Sequence, residues 1–136
     1  MDEEQARAYA RRNHRGVLAT IRKDGRPQLS SVAYLLDDDG RVKISVTEDR
    51  AKTKNLRRDP RASLQCLDDE NWFSYVVLEG TASFIAGEEA LPALRQVYRA
   101  IRGADHPNWQ EFDAAMRSER RVLLVIQPER LYGMVR

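Results

Sequence analysis

Residues 42–66 read VKISVTEDRAKTKNLRRDPRASLQC and predict three elements in succession. Apolar and polar side chains alternate from Val42 to Thr47, which is the period of a strand with one buried face. Residues Ala51 to Arg58 predict one or two helical turns. The helix is expected to end at Asp59-Pro60, because proline cannot continue a helix and disfavours helical geometry in the residue before it. Alternation resumes from Ala62 to Cys66, so a basic helix is expected between two strands.

Strand patterns flank this stretch on both sides. Val17 to Ile21 and Pro27 to Leu36 are extended, and the turn Lys23-Asp24-Gly25-Arg26 between them predicts a β-hairpin. A longer strand is predicted from Phe73 to Ile85. Gly80 lies in the middle of that strand, where glycine indicates a bulge or a bend that curls the sheet.

Amphipathic helices are predicted at three further places. The first spans Glu3 to Asn13. Two more lie between Ile85 and Val122, where apolar residues recur at helical spacing: Leu91, Leu94, Tyr98, Ile101, Trp109, Phe112 and Met116. The last strand, Val122 to Ile126, continues through Leu131 and Tyr132.

The order of these elements predicts the fold class. Connections too short for parallel crossovers favour an antiparallel sheet. Six strands in so short a chain do not bury both faces of a flat sheet, so the sheet is expected to close into a small barrel. We therefore predict one domain over residues 1–136, mainly β, with six antiparallel strands in a barrel and flanking helices.

Composition and charge limit the classes of function. The 23 basic and 21 acidic residues give a formal net charge of +2, too balanced to favour nucleic acid as a partner. No apolar run approaches the roughly 20 residues that cross a bilayer. The charged segment Met1 to Asn13 lacks the apolar centre of a secretory signal. The single cysteine, Cys66, fits a reducing compartment. We expect a cytoplasmic protein with neither a nucleic-acid nor a membrane partner.

Side chains that usually perform catalysis are scarce. The only histidines, His14 and His106, are far apart in the sequence, and no spacing typical of a metal site is present. Cys66 alternates with polar neighbours in a predicted strand, a position typical of a buried and unreactive thiol. No glycine-rich phosphate loop or nucleophile elbow appears. If the protein is an enzyme, its reactivity is expected to come from a cofactor.

The basic segment from Arg50 to Arg58 is the strongest candidate site. A helix N-terminus offers unpaired backbone N–H groups, Arg50 and Lys52 add full charges, and the Thr53 hydroxyl adds a donor. Together these groups suit a phosphate. The adjoining groove is expected to be lined by polar side chains of the neighbouring strands: Gln28, Ser30, Ser31, Ser45 and Thr47. A solvated basic helix end is the alternative interpretation.

Several strands are apolar on both faces, and a small core covers only one of them. They are Val17 to Ile21, Tyr75 to Leu78 and Val122 to Ile126. A homodimer interface is expected to cover the second face, and the alternative is that the helices cover it. Trp72, Phe73 and Tyr75 form an aromatic edge that suits packing at the rim or a wall for a planar ring.

Three motifs resemble the pyridoxamine 5′-phosphate oxidase-like superfamily. Within it, the chain is similar to the coenzyme F420-dependent (deazaflavin) reductases that share the FMN-binding split β-barrel, and the likeness runs from about Gly16 to Gly133. The motifs are residues 16–21 (GVLATI), 24–30 (DGRPQLS) and 50–63 (RAKTKNLRRDPRAS), with further likeness at 78–82 and 120–124.

The resemblance implies a homodimer with two cofactor sites at the subunit interface. It also implies hydride transfer between reduced coenzyme F420 and an unsaturated organic substrate, with position and electrostatics supplied by the protein. Carried over by position, the phosphate binders are Arg50, Lys52 and Thr53, with Asn55 and Arg58 close by. The implied ring or ribityl contacts are Gln28, Ser30, Ser45 and Val46, with Trp72 and Tyr75 reaching in from the partner subunit.

Other interpretations remain open. FMN is an alternative cofactor, since it shares the ring shape and ribityl phosphate of F420 and differs mainly in lacking a charged tail. A carrier of flavin, F420 or haem without catalysis is a second alternative. A module for single-stranded nucleic acid would need aromatic and basic residues interleaved along a groove, and here they are not. Vitamin B6 oxidation is not expected, because Arg41 to Val46 does not resemble the phosphate-binding strand of true pyridoxamine phosphate oxidases.

Overall fold

A computed structural model describes all of residues 1–136. The helices are α1 (Glu3–Arg12), α2 (Ala51–Arg58), α3 (Leu91–Arg102) and α4 (Trp109–Ser118), with a 3-10 turn at Gly87–Ala90. The strands are β1 (Arg15–Ile21), β2 (Pro27–Ala33), β3 (Leu35–Leu36), β4 (Val42–Thr47), β5 (Arg61–Leu67), β6 (Tyr75–Ile85) and β7 (Arg121–Met134). No helix has both the length and the apolar character that a membrane span requires.

The strands form one curled antiparallel sheet in the order β2-β1-β5-β6-β7-β4-β3. Its two outer strands, β2 and β3, are consecutive in the chain, and only Tyr34 lies between them. One stretch of backbone therefore joins both edges of the sheet, and the predicted mainly β split-barrel fold is confirmed. The sheet has seven strands where six were predicted, because the stretch Pro27 to Leu36 changes its partner from β1 to β4 at Tyr34.

The barrel interior holds a cluster of 18 buried residues, to which α1 contributes Tyr9 and α2 contributes Leu56. A second cluster of seven buried residues lies between the outer face of β7 and the helices α3 and α4. Leu123 and Val125 of β7 belong to this second cluster. At β7 the helices thus cover the face that the sequence assigned to a partner subunit. Val17, on the outer face of β1, remains half-buried.

A bulge bends the long pair of strands β6 and β7. Glu79 pairs with Arg130 and Gly80 pairs with Pro128, so Glu129 is the extra residue. A Cβ atom on Gly80 would lie 2.1 Å from the carbonyl oxygen of Gln127. The bend therefore requires glycine at this position, and the bulge predicted there is confirmed.

Candidate functional site

A groove of about 510 Å³ lies between β2 and β4, the strands that precede and follow β3 in the chain. The N-terminal turn of α2 and one face of α3 complete its walls. Its lining comprises Ser30, Ser31, Val32, Ala33, Ile44, Ser45, Val46, Thr47, Arg50, Lys52, Val97, Ile101 and Arg121. The structure thus brings seven of the predicted residues into one groove: Ser30, Ser31, Ser45, Val46, Thr47, Arg50 and Lys52.

Three cations converge on the groove. The Lys52 Nζ atom lies 3.4 Å from the Ser30 hydroxyl, and burial, followed by the charges of Arg50 and Arg121, lowers the pKa of Lys52. Neither Arg50 nor Lys52 has a carboxylate oxygen within 4.0 Å. Arg121 pairs with Glu119 at 3.1 Å. The positive charge of the groove is therefore largely uncompensated by the protein.

The first turn of α2 adds backbone donors to these charges. Its N-cap, Arg50, makes no capping hydrogen bond through its side chain, and the turn contains no acidic residue. The N–H groups of Ala51, Lys52 and Thr53 have no acceptor in the protein. The nearby Asp49 carboxylate accepts a 2.7 Å hydrogen bond from the Thr47 hydroxyl, which lowers the pKa of Asp49. Cations and free N–H groups together suit a phosphate.

Thr53 lies outside the groove, although the sequence placed its hydroxyl among the phosphate donors. Its side chain is buried, and its Oγ1 atom donates a 2.7 Å hydrogen bond to the carbonyl oxygen of Thr47. This bond ties the first turn of α2 to the end of β4. The Thr53 hydroxyl therefore holds the helix in position and is not a donor to the groove.

Gln28, Asn55 and Arg58 also lie away from the groove, where they connect α2 to the hairpin of β1 and β2. The Thr20 hydroxyl donates to the Gln28 Oε1 atom at 3.0 Å, and the Asn55 amide donates to the Thr20 hydroxyl oxygen at 3.1 Å. Arg58 donates to the Asn55 Oδ1 atom at 3.2 Å and to the carbonyl oxygen of Ile21 at 2.5 Å. This network fixes the position of α2 beside β1.

Trp72 lines a second depression, of about 650 Å³, on the outer face of the barrel. Its side chain is 79% exposed, with Val17 and Leu67 in the same depression. Residues 31–33 of β2 line both the depression and the groove. Tyr75, at the start of β6, lines neither. The contact of Trp72 and Tyr75 with a cofactor in a partner subunit stays a prediction.

Six residues of the groove were missed by the sequence analysis. Val32, Ala33 and Ile44 belong to strands that already carried predicted residues, whereas Val97, Ile101 and Arg121 come from other elements. Val97 and Ile101 lie one helical turn apart on α3. The spacing of Ile101 indicated only an amphipathic helix, and Val97 was not singled out. The sequence analysis gave Arg121 no role in the site. It pairs with Thr47 because β7 lies next to β4, so only the order of the strands would have placed it here.

The groove fits a phosphate-bearing group with an extended body. Its cations and N–H groups suit the anion, hydroxyl groups line the strands, and Val46 and Ile101 offer apolar contact. A curled antiparallel sheet with this groove defines a small split β-barrel protein. The chain belongs to the pyridoxamine 5′-phosphate oxidase family, which matches residues 2–135.

Individual relatives are similar over almost the whole chain. F420H2-dependent biliverdin reductase of Mycobacterium tuberculosis is 27% identical over 131 residues, 96% of this chain and 86% of the relative. The crystal structure of a conserved hypothetical protein from the same organism has a TM-score of 0.78 at 27% identity, covering 98% of this chain and 84% of that one. A heme-binding protein from Mycobacterium smegmatis has a TM-score of 0.65 at 26% identity, covering 96% of this chain and 52% of that one.

Proposed function

We propose that the groove binds the phosphate of coenzyme F420 and that the protein is an F420-dependent oxidoreductase. The reaction is hydride transfer between the reduced deazaflavin and an unsaturated organic substrate. The observation that supports the proposal most is the pair Arg50 and Lys52, two cations without carboxylate partners beside the free N–H groups of α2. The similarity to a reductase that uses F420H2 supports the choice of coenzyme.

The residues of the groove bind and orient the cofactor. Arg50 and Lys52 hold the phosphate with the N–H groups of the first helical turn, and the hydroxyl groups of Ser30 and Ser45 contact the chain beyond it. Val46 and Ile101 exclude water from the ring. When bound, the reduced deazaflavin supplies the hydride. No histidine, cysteine or carboxylate lines the groove, and the protein contributes chiefly position and electrostatics.

A carrier that binds flavin, F420 or haem without catalysis is the second candidate. Two observations favour it: no histidine, cysteine or carboxylate lines the groove, and a heme-binding protein is among the similar structures. FMN remains the alternative ligand, since its ribityl phosphate suits the same cations. Turnover of a substrate distinguishes the enzyme from the carrier, and the identity of the bound ring distinguishes F420 from FMN.

We infer in addition that the protein works as a homodimer. Three large apolar side chains are exposed to solvent, which is unfavourable. They are Leu29, Trp72 and Phe73, at 62%, 79% and 62% exposure. The depression around Trp72 adjoins the groove along β2. A second copy that covers this depression would lie beside the cofactor, where the partner's Trp72 is predicted to reach the ring.

Titration of the purified protein with F420, followed by fluorescence polarisation, tests the function. Lys52→Ala is expected to weaken binding by about tenfold or more, because a hydrogen-bonded charge contributes on the order of 1.5–3 kcal/mol. Lys54→Ala is the matched control, since Lys54 is exposed on the same helix and outside the groove. Co-purified yellow FMN with no response to the deazaflavin would overturn the choice of F420. Binding without turnover of any unsaturated substrate would establish the carrier.

A further inference from the structure

The helix α3 forms an apolar wall of the groove. Val97 and Ile101 are the only lining residues outside the sheet and the start of α2. Val97 is buried in the second apolar cluster, whereas Ile101 is half-buried. Strand pairing fixes the lining residues of β2, β4 and β7, but α3 takes no part in that pairing. The width of the groove at this wall therefore depends on where α3 lies.

A polar network connects α3 to the turn between β3 and β4. The Gln96 Nε2 atom donates to the Asp37 Oδ1 atom at 3.1 Å. The other oxygen of Asp37, Oδ2, accepts from the Lys43 Nζ atom at 2.5 Å, and the same Nζ atom lies 3.1 Å from the Asp39 Oδ2 atom. Lys43 precedes Ile44, a residue of the groove lining, on β4. The network thus joins the helix that carries the apolar wall to a strand of the same groove.

The ion pair in this network is largely shielded from water. The side chains of Lys43 and Asp37 are 14% and 15% exposed. Burial acts to raise the pKa of Asp37, but hydrogen bonds from Lys43, the neighbouring backbone and Gln96 outweigh it and hold the pKa below its ordinary value. Asp37 is therefore ionised at neutral pH. Gln96 donates to a full charge, which makes its hydrogen bond stronger than one between neutral groups.

The hydrogen bond of Gln96 restrains α3 in a way that apolar packing does not. Leu94 and Val97 hold the helix in the second apolar cluster, but contacts between apolar side chains are not directional. Gln96 lies about 100° around the helix axis from Val97, so its hydrogen bond restrains α3 from another side. Asp37 does not need Gln96 as a partner, since the Asp38 N–H group donates to the same Oδ1 atom at 2.8 Å. The bond therefore acts chiefly on the position of α3.

We propose that Gln96 is a positioning residue, which holds Val97 and Ile101 at the groove width that admits a planar tricyclic ring. The inference rests on the proposed function and adds to it the element that shapes the ring end of the site. The phosphate end, at Arg50 and Lys52, belongs to α2 and makes no contact with this network. Loss of the Gln96 hydrogen bond is therefore expected to weaken binding of the ring and to spare binding of the anion.

Gln96→Met tests the inference, because methionine keeps the length of the side chain and removes the donor. FMN and F420 are the ring-bearing probes, and inorganic phosphate is the probe for the anion alone. Affinity for the ring cofactor that the native protein binds is expected to fall about fivefold, a typical effect of a residue that acts on a ligand through other residues. Binding of inorganic phosphate, followed by NMR, is expected to stay within about twofold of the native value.

Arg95→Met is the matched control. Arg95 also anchors α3, but its ion pair is with Asp113 on α4, and neither residue lines the groove. The variant is expected to lose stability, because the buried Asp113 carboxylate loses its partner, and to keep its affinity for the ring within about twofold. Ile101→Ala removes part of the apolar wall. In that background Gln96→Met is expected to cause little further loss of ring affinity, because the two residues act through the same wall.

The outcomes separate this inference from the proposed function. Failure of the native protein to bind either ring cofactor would overturn the proposed function and the inference with it. Native affinity for the ring in Gln96→Met would overturn the inference alone. Equal losses of ring affinity in Gln96→Met and Arg95→Met would also overturn it, since they would show a general loosening of α3. A full fivefold loss on adding Gln96→Met to Ile101→Ala would show that Gln96 does not act through the wall.

Discussion

The Lys52 ammonium group, on α2, lies 3.4 Å from the Ser30 hydroxyl, on β2, and both residues line the groove. Lys52 follows β4 in the chain, whereas Ser30 belongs to a strand at the other end of the sheet order. Closure of the barrel brings them together. A half-buried ammonium group next to a hydroxyl and two arginines costs free energy until an anion binds.

Lys52→Met is expected to stabilise the protein at pH 7 by on the order of 1 kcal/mol, the usual gain when a strained binding site is relieved. Burial and the charges of Arg50 and Arg121 lower the pKa of Lys52 from its ordinary value of 10.5. Between the lowered and the ordinary pKa, the unfolded chain holds a proton that the folded protein has lost, so stability rises with pH through that window.

Urea denaturation at pH 7 and pH 10 measures this effect. The advantage of Lys52→Met is expected to shrink at pH 10, as the native lysine loses its charge. Lys54→Met, on the exposed side of the same helix, is the control and is expected to change little. A Lys52→Met variant less stable than the native protein at pH 7 would refute the interpretation.

Arg120→Gly is expected to stabilise the protein by about 0.5–1 kcal/mol. The left-handed backbone costs a residue other than glycine about 1–2 kcal/mol, which glycine avoids. Part of that gain is offset because glycine loses more conformational entropy on folding. Arg120→Ala retains the strained φ of 53° and is expected to show no such gain. Urea denaturation of both variants measures the difference. Equal stability of the two would show that the turn at Arg120 stores no strain.

Gly80→Ala is expected to destabilise the protein by at least about 2 kcal/mol, because the new Cβ atom has no room. That atom would lie 2.1 Å from the carbonyl oxygen of Gln127, on the neighbouring strand at the bulge. Ser83→Ala changes an exposed residue of the same strand and serves as the control. A loss in the chemical denaturation midpoint no greater than that of Ser83→Ala would contradict the close packing at the bulge.

Tyr34→Phe is expected to cost about 1–3 kcal/mol, the penalty for leaving a buried hydrogen-bonding group unpaired. The fully buried Tyr34 hydroxyl donates to the carbonyl oxygen of Ala10 at 2.7 Å and anchors the end of α1. Faster amide exchange confined to α1 would accompany the loss. Tyr132→Phe, at a side chain 42% exposed, is the control. Unchanged exchange in α1 would show that the helix is held by its apolar contacts alone.

Local sequence patterns were sufficient to predict most of the strands and the position of Arg50 and Lys52 at the start of a helix. They were not sufficient where a residue's place depends on which strands are neighbours in the sheet. Arg121 reaches the groove only because β7 pairs with β4, and alternation along a strand does not reveal its partner. Thr53 satisfies the pattern of a helix N-terminal donor, but its hydroxyl turns back to Thr47. The change of strand partner at Tyr34 was missed for the same reason, since the sequence pattern is extended on both sides of Tyr34.

Leu29→Glu is expected to convert a dimer into a monomer. Light scattering on the native protein is expected to give twice the chain mass of 15.7 kDa, because a partner would cover the depression around Trp72. The exposed Leu29 lies on β2 two residues before Ser31, which lines that depression. A carboxylate at the centre of such an interface leaves a charge without water or a partner. Ile85→Glu, at a residue 38% exposed at the end of β6, a strand that does not adjoin β2, is the control and is expected to stay dimeric. If Trp72 of the partner subunit contacts the ring, the monomeric variant also loses affinity for F420. A native protein that remains monomeric at millimolar concentration would exclude the shared site.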